Sequence, residues 1–73
     1  MNNLYIAYDD LGTILLGTKE DCLKSIVSWA ESAEAEEHYS EDDLVLIIDF
    51  FNQSNYNSEI IAYSGFIVSK IKG

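Results

Sequence analysis

The sequence predicts a single small α+β domain over residues 1–73, an antiparallel β-sheet of order β-β-α-β-β with one amphipathic helix packed on it. Three observations carry this. Apolar residues alternate in "NLYIAY" and again in "FIVSKIK", the period of a half-buried strand. Between them Leu23, Ile26, Val27, Ala30 and Ala33 recur at helical spacing. At 73 residues and 48% apolar content, with nine aromatics, the chain holds enough apolar surface for one core and no more.

The elements follow in order. Asn3 to Tyr8 forms the first strand, Asp9 to Gly12 a turn in which Gly12 supplies a positive φ, and Thr13 to Gly17 the returning strand. Thr18 caps the helix through the amide of Asp21, and Glu20 and Asp21 favour its first turn through the helix dipole. The helix is expected to reach Glu36. "DLVLIIDFF", Asp43 to Phe51, is apolar on both faces apart from Asp49 and reads as a central strand. Asn52 to Ser58 is a polar loop, Glu59 to Tyr63 a strand, and Ser64-Gly65 a bulge leading into Phe66 to Lys72. The expected core is Leu4, Ile6, Leu15, Leu23, Ile26, Val27, Ala30, Leu46, Ile48, Phe50, Ile61, Phe66 and Val68. Tyr5, Trp29, Phe50 and Phe66 are assigned to the core among the aromatics, and Tyr8, Tyr39 and Tyr56 to the surface.

Charge is the distinctive feature. Thirteen acidic residues face four lysines, for a net charge of −9, and there is no Arg. Direct binding of nucleic acid is excluded on this balance, because a phosphate backbone would be repelled and no guanidinium fork is present to hold it. Proteins that themselves bind nucleic acid are the natural opposite. The lone Cys22 permits no internal disulfide and suits a reducing cytoplasm, the host's if the chain is phage-encoded. "MNNLYIAYDD" lacks the basic and apolar regions of a signal peptide, and "LVLII" is too short to span a bilayer, so no membrane association is expected. In that compartment the Asn52-Gln53-Ser54 sequon carries no glycan.

Catalytic chemistry finds no support. His38 would be the base for Cys22, yet sixteen residues along one helix separate them by about 24 Å. Cys22 reads as a small core hydrophobe. Glu37, His38, Glu41, Asp42 and Asp43 lack the regular oxygen spacing and Gly of a calcium loop, so no metal or other cofactor is expected. No Gly-rich loop precedes a helix to cradle phosphate.

The tract "AESAEAEEHYSEDD", Ala30 to Asp43, holds seven of the thirteen acidic residues and no lysine. Such a run can simply keep a small domain soluble. Two features argue for more: the like charges are not interspersed with Lys, and Glu34, Glu36 and Glu37 fall near the expected helix C-terminus, where the dipole disfavours them. Carboxylates so clustered approximate phosphate charge density and would be drawn to a basic groove. The candidate partner-binding residues are Glu31, Glu34, Glu36, Glu37, Tyr39, Glu41, Asp42 and Asp43, with a basic nucleic-acid-binding protein as partner.

In size, charge and architecture the chain resembles small acidic phage-encoded inhibitors of bacterial DNA-binding proteins, among them DNA mimics and anti-CRISPR proteins. It is similar also to immunity proteins and antitoxins that cover a basic nuclease. The resemblance is one of composition. It implies an inhibitor that occupies a nucleic-acid site and assigns no residue. A homo-oligomerising module pairing through "FIVSKIK" as an edge strand is the alternative from a different class, and an enzyme or metal-dependent binder a third. Salt separates the first two, since steep loss of affinity with ionic strength marks only the charged inhibitor.

Overall fold

A computed structural model describes residues 3–53 and 57–72. Two strands, β1 (Leu4–Asp9) and β2 (Gly12–Gly17), precede helix α1 (Lys19–Ala30); a 3₁₀ turn (Ala35–Glu37) leads to helix α2 (Glu41–Asn52), and β3 (Ile60–Tyr63) and β4 (Phe66–Lys72) complete the sheet. The α+β class and the antiparallel sheet stand. The order is β-β-α-α-β-β, so the single-helix architecture does not.

The segment read as a central strand is α2. Its apolar run satisfies a helix equally well, because Leu44, Ile47 and Phe51 fall at i, i+3 and i+7 and all three are buried. What selects the helix is its start. The Ser40 hydroxyl accepts the Asp43 N–H at 3.2 Å, and Glu41, Asp42 and Asp43 occupy the first turn, where the dipole favours them. On this helix Leu46 is 53% exposed, and Ile48 and Phe50 are half-buried, so three expected core positions move outward. Ser40→Ala should therefore lower stability by about 1 kcal/mol, read as a shifted urea midpoint; an unchanged midpoint would show that the cap contributes nothing.

Helix α1 begins as expected, with Thr18 Oγ1 accepting the Asp21 N–H at 3.1 Å, but it ends at Ala30, six residues before Glu36. The Glu31 N–H is shared between the carbonyls of Val27 and Ser28, which tightens the last turn. The Ser32 hydroxyl donates to the Trp29 carbonyl at 2.6 Å and accepts from the Ala35 N–H. This side chain captures backbone groups that a continued helix would use.

The sheet order is β2-β1-β4-β3, antiparallel throughout. β4 is thus central, and the edges are β2 and β3, so "FIVSKIK" cannot be an edge for pairing. Ser64 and Gly65 form a two-residue hairpin turn between the paired Tyr63 and Phe66, not a bulge. Both have positive φ, 52° and 87°, as the tight hairpin geometry that matches strand twist requires. The bulges lie elsewhere, at Ile14 in β2 opposite Ala7 and Tyr8, and at Ile71 in β4 opposite Leu4 and Tyr5.

Both helices cover one face of the sheet. β1 turns Tyr5, Ala7 and Asp9 toward them, and Leu4, Ile6 and Tyr8 away, the reverse of the expected orientation. Alternation alone could not choose between two apolar faces. Packing does: Ala7, fully buried beside its register partners Leu15 and Val68, leaves room for α1 to lie close with Cys22 and Ile26, both also fully buried. Leu15 itself is half-buried. The rest of the expected core, Leu23, Ile26, Val27, Ala30, Ile61, Phe66 and Val68, is buried. Phe66 is the centre of an aromatic cluster, its ring 5.4 Å from Trp29, 5.7 Å from Tyr39 and 6.3 Å from Phe51.

Candidate functional site: an acidic pole

The chain direction collects charge at one end of the molecule. β1 ascends to Asp9, β2 descends to Gly17, α1 ascends to Ala30, and α2 descends from Glu41. The upper pole therefore joins the β1–β2 turn to the whole segment between the helices. Contacts confirm the convergence: Asp9, Leu11, Gly12, Trp29 and Glu34 line one open cleft, and Asp10 approaches Gly65 in the β3–β4 turn. Nine of the thirteen acidic residues stand here: Asp9, Asp10, Glu31, Glu34, Glu36, Glu37, Glu41, Asp42 and Asp43. All four lysines lie in the other half, at the start of α1 and the end of β4. The ion pairs Lys24–Glu20 and Lys70–Glu59, each 3.0 Å, are there too.

The seven carboxylates of the predicted site are all exposed. Their structural roles differ. Glu31 caps the end of α1, and Glu34 leads into the 3₁₀ turn that holds Glu36 and Glu37. Because α1 ends at Ala30, Glu34, Glu36 and Glu37 are not at its C-terminus and the unfavourable dipole expected for them does not apply, while Glu41, Asp42 and Asp43 stabilise the start of α2. Asp9 and Asp10 were missed because forty residues or fewer of intervening chain hide a contact that only the sheet creates. Asp9 is 9% exposed and its Oδ1 accepts the Leu11 N–H at 2.9 Å, which shapes the turn; Asp10 is exposed.

Tyr39 is not the exposed side chain expected. It is half-buried, edge-on to Trp29 at 6.0 Å, and ties the acidic segment to the core. Of the other tyrosines assigned to the surface, Tyr8 is half-buried on the sheet's outer face and Tyr56 lies outside the described residues. Burial pushes the Tyr39 phenol above its ordinary value, and the Asp9 and Asp10 carboxylates push it further in the same direction. Burial likewise raises the Cys22 thiol, whose Sγ lies 3.7 Å from the Leu15 carbonyl. For both groups the folded state prefers the neutral form. The resulting stability is complete below the unfolded values, about 8.5 for thiol and 10 for phenol, and is lost as pH rises through the higher folded values. An absorbance titration should show one late-ionising tyrosine, missing in Tyr39→Phe, whose midpoint falls with added salt as the carboxylates are screened. Moderate salt should also raise the melting temperature by relieving repulsion at the pole. A late-ionising phase that persists in Tyr39→Phe would contradict this placement.

His38 is exposed and Cys22 is fully buried on α1, facing the sheet. Among the described residues no three His, Cys, Asp or Glu side chains converge to hold a metal ion, and no helix is long and apolar enough to cross a membrane. Comparisons with protein-family models, curated proteins and solved structures found no match to this chain.

Proposed function

We propose that the chain is a non-catalytic acidic binder whose upper pole occupies the basic groove of a nucleic-acid-binding protein and keeps nucleic acid out of it. The observation that supports this reading is the gathering of nine carboxylates, from two segments distant in sequence, at one end of a molecule 38 × 23 × 16 Å, with every lysine held in the other half. Duplex DNA carries one charge per 1.7 Å of axis, about twelve over 20 Å, so the pole approaches the charge density such a groove is built to receive. Glu31, Glu34, Glu36, Glu37 and Asp10 carry the argument best. They are exposed, and no α-helix N-terminus accounts for them as it does for Glu41, Asp42 and Asp43; Glu36 and Glu37 lie only in the single 3₁₀ turn that Glu34 precedes.

The test is competitive. The immobilised chain should retain basic nucleic-acid-binding proteins from nuclease-treated lysate, and either salt or added DNA or RNA should release them. In solution the chain should displace labelled nucleic acid from the retained protein. A partner that binds the chain and nucleic acid together, each at full affinity, overturns the reading.

A further inference from the structure

An antiparallel sheet with one solvated face normally turns polar side chains to water. This one does not. The face away from the helices presents Leu4, Ile6, Leu16, Ile60 and Ile67, with Ala62 and Ser69 between them and Tyr8 and Thr13 toward its upper end; Leu16 is 55% and Ile60 63% exposed. Among the described residues no element covers it. Within the strands this face carries no carboxylate, although the chain has a net charge of −9. Charge appears only at its two ends, with Lys72 paired to Leu4 at the lower end and Asp10 in the turn at the upper end.

We propose that this face binds a second copy of the same chain, sheet against sheet, with the two protomers' strands running in opposite directions. Self-association suits a face without charge, since two copies meet there with no carboxylate between them. A two-fold axis across the strands then sets Lys72 of each protomer near Asp10 of its partner and keeps the acidic poles at opposite ends. The alternative axis, along the strands, would press the two acidic poles together. Four strands about 4.8 Å apart, of six, six, four and seven residues, make a face of about 360 Å² in projection. Because side chains stand off the sheet, a pair buries more than about 700 Å² in total. That is below the roughly 1,200 Å² of stable specific interfaces and fits a weak, reversible dimer.

Sedimentation equilibrium across the micromolar range should show a species of twice 8.2 kDa, and added salt should tighten the dimer by screening the net charge. Salt thereby separates this interface from the acidic pole, whose binding salt weakens. A Leu16→Glu, Ile60→Glu double variant should be monomeric with an unchanged far-ultraviolet circular dichroism spectrum. Leu16→Thr with Ile60→Thr serves if the first misfolds. Lys72→Glu should weaken the dimer by about three- to tenfold through two symmetric rim pairs, and adding Asp10→Lys should restore it. A monomer throughout the concentration range, a dimer that survives the face variants, or a dimer strengthened by Lys72→Glu would each overturn the proposal. Loss of binding to another protein from the same face variants, with no dimer at any concentration, would assign the face to that partner instead.

Discussion

Phe66→Ala is expected to leave the protein largely unfolded in mild denaturant and close to marginal in water. Its ring is fully buried where α1, α2, the acidic segment and the sheet meet, in contact with Trp29, Tyr39 and Phe51. Removing it loses transfer free energy and leaves a cavity that rigid strand and helix backbones cannot close, at a cost of about 3–5 kcal/mol. A domain of 73 residues has only about 4–11 kcal/mol in total. The midpoint of urea unfolding should collapse, and the near-ultraviolet signal of Trp29 should vanish with it. Phe66→Leu keeps most of the volume and should lose much less. A small shift for the alanine variant would mean that the aromatic cluster is not the centre of the core.

Reversing the exposed charges of the upper pole should produce the other large effect, on binding without loss of fold. Any one rim carboxylate contributes under about 1 kcal/mol because it stays screened, so single reversals should change affinity only modestly. Four together change the local charge by eight units and turn attraction to a basic groove into repulsion. The structure dictates which four. Asp42 and Asp43 lie in the first turn of α2, where Lys would oppose the helix dipole, so their reversal confounds stability with binding. Glu31, Glu34, Glu36 and Glu37 lie outside it and are exposed. Their joint replacement by Lys should preserve the melting transition and abolish displacement of nucleic acid from the partner. The same variant with Asp42 and Asp43 added should also melt lower. If the folded quadruple variant competes as well as the parent, the pole is a solubilising surface and nothing more.

Several elements were legible from local chemistry. The first hairpin, the Thr18 cap with Glu20 and Asp21 behind it, and the strands at residues 60–63 and 66–72 each announce themselves through alternation, a capping hydroxyl or a turn residue. The helix at 41–52 was misread although its cue was present: Ser40 three residues before Asp43, followed by apolar residues at 44, 47 and 51. A short apolar run rich in Val and Ile fits a buried strand and a buried helix equally well, and the run outweighed the cap. Extending α1 to Glu36 put Glu34, Glu36 and Glu37 at a helix C-terminus that in fact lies at Ala30, and missing α2 hid the favourable N-terminus that Glu41, Asp42 and Asp43 occupy.

The α+β class, the core faces of α1 and β4, the excess of carboxylates and their concentration between Ala30 and Asp43 follow from the local residue pattern. Three-dimensional packing alone sets which face of β1 is inside, because both are apolar and the choice rests on Ala7 allowing α1 close to the sheet. It alone placed β4 in the centre of the sheet, since strand order depends on pairings between residues more than fifty positions apart. And it alone brought Asp9 and Asp10 beside Tyr39 and Glu34, because a charge cluster is a property of proximity in space, and chain direction through four strands and two helices is what sets that proximity.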